Sequence, residues 1–283
     1  MKATTECIPC YLKQAHSAIT AIISDEAEVE RLMKRIVPYL SETSLRLTPA
    51  ENSTVILRKV NKLLKTDDPF FRQKRQCNRV ALQWEGELDS YMERSSDRLK
   101  TAIKLSVVGN VIDLGIKERV DIKASFEAIF TEGFVLDDSD RLCEQVQGGK
   151  KKILFIGDNA GEIVFDKVLV RELIRCENEV VYVVKGEPIL NDALMEDARE
   201  VEMDRLCRVI DTGSDWVGVV EKYSSPEFMR AYREADIIVS KGQGNYETLT
   251  EMEREVFHIL KAKCDVVARA LGVRRGEMVC QLV

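Results

Sequence analysis

The amino-acid sequence predicts an α/β protein whose first half is entirely helical and whose second half is a mostly parallel sheet covered by helices on both faces. Three observations carry that reading. Apolar residues recur at helical spacing up to about residue 145, and from about residue 150 short aliphatic runs alternate with helical stretches. Only 4 of the 15 glycines fall in the first half, as long helices with few tight turns require.

Taken in order, Ile8, Leu12, Ala15, Ile19 and Ile22 place apolar side chains on one helical face. "EVERLMKRIVPYLSE" and "ALQWEGELDSYMERSSDRLKTAIKL" share this character, and no convincing strand precedes residue 145. The linker is "EQVQGGKKK" around Gly148 and Gly149, dividing a helical domain (1–147) from an α/β domain (148–283). Strands are expected at "KILFIGD" (152–158), "VVYVVKG" (180–186), "CRVIDTG" (207–213), "ADIIVSKG" (235–242) and "VFHILKAK" (256–263), with "EMVCQLV" adding an edge strand. Helices such as "AGEIVFDKVLVRELIR" and "SPEFMRAYREA" lie between them. Continuous aliphatic strands spaced by helices are buried on both faces, which is the pattern of a parallel sheet.

The 283 residues suffice for two domains or for one domain with a cap. With 45% apolar and 32% charged residues, the composition is that of a soluble globular protein. A net charge of -6 argues against a general nucleic-acid binder, and no apolar run approaches membrane-spanning length. "MKATTECIPCYLKQAHSAI" lacks the apolar core of a signal peptide, so a cytoplasmic location is expected. The eight cysteines, scattered at 7, 10, 77, 143, 176, 207, 264 and 280, read mainly as reduced, buried thiols. Cys7 and Cys10 form C-x-x-C without a second pair; the choices are ordinary packing, redox chemistry or help with a metal.

Chemistry concentrates at the strand ends, where open parallel sheets bind ligands. These ends read Asp158-Asn159, Lys185-Gly186, Asp211-Thr212-Gly213 and Lys241-Gly242-Gln243-Gly244-Asn245. Asp158, Asn159 and Asp192 offer two carboxylates and an amide carbonyl, an oxygen set suited to Mg²⁺ or Mn²⁺ rather than Zn²⁺. The two histidines, His16 and His258, have no partner histidine at ligand spacing. His258, inside an apolar strand, reads as a packed core residue. Lysine supplies a compact positive charge for phosphate, and glycine-containing turns before a helix, at Gly161 and in "KGQGN", let main-chain N–H groups approach an anion. Together these features point to phosphate chemistry around a metal.

"GDNAGE", the acid at Asp192 and "KGQGNYE", in this order and spacing, resemble the metal-dependent damage-control phosphatases, also known as the domain-of-unknown-function-89 family. "DDPF" (67–70), "GNVID" (109–113) and "CIPC" resemble further stretches of that family, so the likeness covers essentially the whole chain. The resemblance implies a helical N-terminal portion packed on a Rossmann-like three-layer α/β/α domain. It implies a Mn²⁺, Mg²⁺, Co²⁺ or Ni²⁺ ion on Asp158, Asn159 and Asp192, and hydrolysis of phosphate monoesters of small metabolites, such as sugar phosphates. Lys241 matches the family's phosphate-contacting lysine. "PILND" before Asp192 departs from the aromatic "PWFVSD" of eukaryotic relatives, which leaves Asp197 as a competing ligand.

In the helical half, Ile103, Val107, Asn110 and Leu114 share one face. An amide among aliphatics either meets another core group or lines a pocket, since burying it unpaired costs roughly 1–3 kcal/mol. Asp113, at i+3, points the same way, and the family likeness favours the pocket for both. Asp67 and Asp68, before Pro69, either turn the chain or reach the pocket.

The expected enzyme is a metal-assisted phosphomonoesterase acting on a small-molecule phosphate ester, with no nucleic-acid or membrane partner. Lys241, Lys185 and the loop Gly242, Gly244 and Asn245 would contact the phosphoryl group or substrate. Glu162 would position the water or the leaving alcohol. An aspartyl-phosphate route through Asp158 ranks lower because the D-x-D pattern of haloacid-dehalogenase phosphatases is absent. The rival readings are an S-adenosylmethionine-dependent carboxyl methyltransferase, for which "GDNAGE" lacks the G-x-G turn, and a non-catalytic sugar-phosphate-binding protein.

Overall fold

The computed structural model describes the backbone of residues 1–115 and 122–283 and the side chains of 1–109 and 126–283. Its first part carries helices α1 (Ile8–Thr20), α2 (Glu26–Ile36), α3 (Pro49–Leu64), α4 (Phe71–Leu82), α5 (Glu85–Arg94), α6 (Arg98–Gly115) and α7 (Ile122–Glu132). Strand β1 (Leu136–Asp137) and helix α8 (Ser139–Gln147) follow. The second part alternates as the aliphatic runs require: β2 (Lys152–Ile156), α9 (Glu162–Arg175), β3 (Glu179–Val184), α10 (Met195–Glu200), β4 (Arg208–Asp211) and α11 (Pro226–Glu234). It closes with β5 (Ile237–Lys241), α12 (Gln243–Leu249), β6 (Phe257–Lys261), α13 (Asp265–Leu271) and β7 (Met278–Leu282).

Local chemistry sets the helix starts. Thr48 accepts from the N–H of Glu51 at 3.1 Å while Glu51 accepts from the N–H of Thr48 at 2.8 Å, a capping box with Pro49 at the first helical position of α3. Asp25 caps α2 by accepting from Ala27, and Ser225 caps α11 by accepting from Phe228.

The seven strands form one sheet in the order β1-β7-β6-β5-β2-β3-β4. All neighbours are parallel except β6 and β7. The last run is therefore a strand, but it lies inside the edge: β1, two residues that the helical pattern concealed, covers it. Along β2 the side chains alternate between faces. Ile153 and Phe155 pack with α4 to α9, whereas Leu154 and Ile156 pack with Phe228, Met229 and Tyr232 of α11. A third group on that second side joins Leu260 and Val279 to α12 and α13. The result is a three-layer α/β/α arrangement.

Helices α1 to α3 stand apart with a core of their own, closed at the carboxyl edge of the sheet by Ile189 and Val217 from loops and Val266 from the start of α13. They form a cap over that edge. Helix α6 instead lies against α9, with Gly109 at the crossing: a Cβ there would come within 2.9 Å of the Cα and Cγ of Glu162. Strand β2 has β3 on one side and β5 on the other, so the chain reverses its direction of winding between β2 and β5. A crevice opens at such a switch point. No helix among the described residues is long and apolar enough to cross a membrane.

Candidate active site

The chain leaves β2 through Gly157-Asp158-Asn159-Ala160-Gly161 before α9 begins, and it leaves β3 through a loop that folds back as far as α10. Main-chain pairing joins the two departures. Asn159 and Asp192 form an isolated antiparallel bridge, the N–H of Ala160 donates to the carbonyl of Asn191 at 2.9 Å, and the N–H of Ala193 donates to that of Asp158 at 2.8 Å. Asp158, Asn159 and Asp192 thereby reach the wall of one cavity of about 580 Å³, roofed by α1 and the start of α3.

Asn159 and Asp192 are buried, and Asp158 is half-buried. The Nδ2 of Asn159 donates to Asp158 Oδ2 at 2.9 Å and to Glu162 Oε2 at 3.3 Å. Burial and the neighbouring carboxylates of Asp192 and Glu162 push the Asp158 carboxyl well above its usual range, with Lys263 and Lys185 opposing. Acids crowded beside an amide oxygen form a donor set for a hard divalent cation, which would relieve their repulsion. Among the described residues no group of three or more His, Cys, Asp or Glu side chains is arranged to hold a metal by itself. The fitting set is the two carboxylates with the amide.

A second row of predicted residues lies behind this wall. Lys241 is fully buried; its ammonium donates to Glu162 Oε1 at 2.5 Å, Asp166 Oδ1 at 2.7 Å and the Ser106 carbonyl at 2.8 Å. Burial works against that charge, but Asp166 and Glu162 outweigh it and raise the lysine's pKa. With every ammonium proton committed, Lys241 does not reach the cavity, and the expected phosphate contact gives way to an internal ion cluster. Glu162, equally buried, belongs to the same cluster and does not line the cavity.

Lys185 donates to the Gly218 carbonyl and to Asn245 Oδ1 at 3.4 Å, and lies 3.6 Å from Asp192 Oδ2. It supports Asp192 from behind, and burial lowers its pKa. Asn245 donates to the carbonyls of Gly157 and Lys241, stapling the ends of β2 and β5. The N–H of Gly242 donates to the Ile259 carbonyl, so that donor is occupied, whereas Gly244 lines the cavity. Asn110 and Asp113 lie outside the described side chains.

Asp197, the competing ligand, is spent on structure. It accepts from the N–H of Leu194 at 2.8 Å and from Asn78 Nδ2 at 2.8 Å, capping α10. Asp68 pairs with the buried Lys74 at 2.6 Å and accepts from the N–H of Phe70, and neither it nor Asp67 lines the cavity. Asp211 accepts from the N–H of Gly213 and caps the turn after β4. His258 is buried in β6 edge-on to Tyr246, and burial lowers its pKa to about 3. All eight cysteines are free thiols, of which Cys10 is exposed and Cys176, Cys207 and Cys264 are partly so.

The cavity wall also includes residues that sequence reasoning passed over. Lys263 lines it and acts electrostatically on Asp158. It lies just past β6, so the strand-end rule that selected Lys185 and Lys241 would have selected it too. Glu247 lines the wall with its carboxyl raised by burial to about 7. From α1 come Tyr11 and Gln14; the Gln14 amide oxygen is buried without a hydrogen-bond partner among the described residues. Cys7 and Cys10 share this wall with Cys264, and burial raises the Cys10 thiol to about 11.

Comparison with known proteins agrees with this architecture. A family model described as the damage-control phosphatase ARMT1-like domain matches residues 3–279. An uncharacterized protein of Methanocaldococcus jannaschii is 38% identical, with 99% of this chain and 95% of the relative covered. A damage-control phosphatase of Pyrococcus horikoshii is 35% identical over 99% of this chain and 98% of its own length. One of Archaeoglobus fulgidus is 33% identical over the full length of both. The crystal structure of a DUF89 family protein from Pyrococcus horikoshii superposes with a TM-score of 0.89 at 34% identity, covering 99% of each chain. With the fold, the full-length match and the relatives in agreement, the chain belongs to the damage-control phosphatase ARMT1-like family.

Proposed function

We propose that this protein is a metal-dependent phosphatase that hydrolyses phosphate monoesters of small, hydroxyl-bearing metabolites. Phosphatase activity is the function named for two full-length relatives. The observation that carries the metal is the bridge of Asn159 to Asp192, which gathers two carboxylates and an amide on one wall of a substrate-sized cavity.

Asp158, Asn159 and Asp192 would hold a divalent cation such as Mn²⁺, Mg²⁺, Co²⁺ or Ni²⁺. Bound there, such an ion supplies Lewis-acid polarisation of a phosphoryl oxygen and lowers the pKa of a coordinated water. Lys263, on the same wall, provides the positive charge for the phosphoryl oxygens that the sequence reading had given to Lys241. Gly244 brings the first turn of α12, where N–H groups have no intrahelical acceptor, to the cavity edge. The unpartnered amide oxygen of Gln14, beside the Tyr11 hydroxyl in the cap, supplies hydrogen-bonding capacity for a hydroxylated alcohol portion, the chemistry of a sugar phosphate.

The test is phosphate release from p-nitrophenyl phosphate and from a panel of sugar phosphates, with Mn²⁺, Mg²⁺, Co²⁺ or Ni²⁺ and with EDTA. Turnover that needs a divalent ion and disappears in Asp158→Ala supports the reading; turnover indifferent to EDTA and to that substitution removes it.

A further inference from the structure

Behind the cavity wall runs an unbroken chain of buried contacts. The hydroxyl of Tyr182 donates to Asp166 Oδ2 at 2.7 Å, and Lys241 joins Asp166 Oδ1 to Glu162 Oε1. Glu162 Oε2 then accepts from the Nδ2 of Asn159. Glu162, Asp166, Tyr182, Ser106 and Lys241 are all fully buried, so none of them touches a ligand. Yet the chain ends on the one candidate cation donor whose orientation is ambiguous. An asparagine amide can present either oxygen or nitrogen, and only the oxygen binds a cation.

We propose that Lys241 and Glu162 are positioning residues that lock the amide of Asn159 with its oxygen towards the cation. Glu162 has two carboxylate oxygens, both acceptors. One is occupied by the ammonium of Lys241; the other therefore meets Asn159 as an acceptor and selects the amide's nitrogen. Asp158 Oδ2 accepts from the same nitrogen, so both neighbours of the amide agree. Asp166, held by Tyr182, keeps Lys241 in place. The inference rests on the reading of Asp158, Asn159 and Asp192 as a cation site, and it explains why a fully committed lysine sits so near a cavity it does not enter.

The geometry makes an isosteric substitution decisive. In Glu162→Gln the new side chain has a single acceptor oxygen, and Lys241 claims it. The Gln NH₂ then faces the NH₂ of Asn159, and the asparagine turns its oxygen away from the cavity. Mn²⁺ affinity, read by titration calorimetry, is expected to fall roughly 10- to 100-fold, the range typical when a partner supporting a metal ligand is lost. In the double variant Glu162→Gln/Lys241→Met the Gln oxygen is released to accept from Asn159, and affinity is expected to recover. Loss in the single variant followed by recovery in the double supports the proposal, because a merely structural lysine would make the double variant worse. Unchanged affinity in folded Glu162→Gln overturns it, as does a double variant that binds no better than the single. Wild-type protein that binds no Mn²⁺ overturns the cation site itself. Should a variant not fold, a crystal structure of the wild type with Mn²⁺ decides: the proposal stands with Asn159 Oδ1 at about 2.1 Å from the ion and Nδ2 on Glu162, and falls if the amide is reversed.

Discussion

Gly242 lies directly beneath the carboxylate of Asp158, so close that a Cβ at position 242 would fall 2.0 Å from Asp158 Oδ2. Gly242 follows β5 and Asp158 follows β2, the adjacent strands between which the winding reverses. Gly242 also has φ at +80°, a left-handed conformation that costs any other residue about 1–2 kcal/mol. The Asp158 carboxylate can occupy its place only because this position has no side chain. Gly242→Ala is expected to destabilise the fold by more than that amount and to weaken Mn²⁺ binding at the same time, measured by urea unfolding and calorimetry. A variant with wild-type stability and affinity would show that Asp158 does not rest on this backbone.

Asp158 itself trades stability for binding. Its pKa is raised, so its charge opposes folding above the pH range in which a solvated aspartate ionises, and a neutral isostere removes that opposition. Asp158→Asn is expected to raise the melting temperature of the metal-free protein, by an amount equivalent to roughly 1 kcal/mol. The same variant should lose the further rise that Mn²⁺ gives the wild type. A calorimetric scan with and without the ion reads both effects.

Asn78 holds the loop of Asp158 and Asn159 from the other side. Fully buried, it accepts from the N–H of Gly161 at 2.7 Å and donates to Asp197 at 2.8 Å and Glu200 at 2.9 Å. Asn78→Ala leaves the buried N–H of Gly161 and the buried Asp197 Oδ1 without this partner and is expected to cost about 2–4 kcal/mol. Asn78→Asp keeps the acceptor but sets a third carboxylate against the other two, so it should not restore stability. Chemical denaturation of the three proteins provides the comparison.

Glu247 gives the protein a pH signature. Burial lifts its carboxyl from 4.5 to about 7, while the hydrogen bond from Gln243 and the amino terminus oppose the shift. Because the folded form holds the proton more tightly, this contribution is fully present below pH 4.5 and is lost as the pH rises through about 7. Its size is on the order of 3 kcal/mol. Glu247→Gln should flatten the stability profile across this window, as read by urea midpoints at several pH values.

Lys263 separates the two lysine assignments. It is exposed on the cavity wall, whereas Lys241 is fully buried among carboxylates. Lys263→Met is expected to lower kcat/KM on phosphate esters at least about tenfold, a loss of roughly 1.4 kcal/mol of transition-state stabilisation, with little change in melting temperature. Lys241→Met should instead unfold at markedly lower denaturant, since it strands two buried carboxylates at a cost of about 3–5 kcal/mol.

Much of this protein was determined by its sequence alone. Aliphatic runs of strand length place β2 to β7 because a strand buried on both faces must be continuously apolar, and that requirement is local. The place of Asp158 and Asn159 was legible for a similar reason: polar residues that follow a buried strand stand at its carboxyl edge wherever the strand lies in the sheet, whereas Asp192, in the loop beyond β3, is brought beside them by the main-chain bridge to Asn159. The tertiary structure alone decided which of those edge residues face the cavity. Lys185, Lys241 and Lys263 all follow strands, yet the first two turn inward to buried acceptors and only the third reaches the wall, a choice made by carboxylates and carbonyls distant in the chain. Asp197 and Asp192, five positions apart, separate into a helix cap and a cavity wall because Asn78, from a different helix, claims one of them. Strand β1 escaped detection because two residues carry no periodicity, and only the exposed edge of β7 gives them a partner. Sequence pattern registers whether a side chain is buried; which partner it meets there depends on contacts between segments that the chain brings together only on folding.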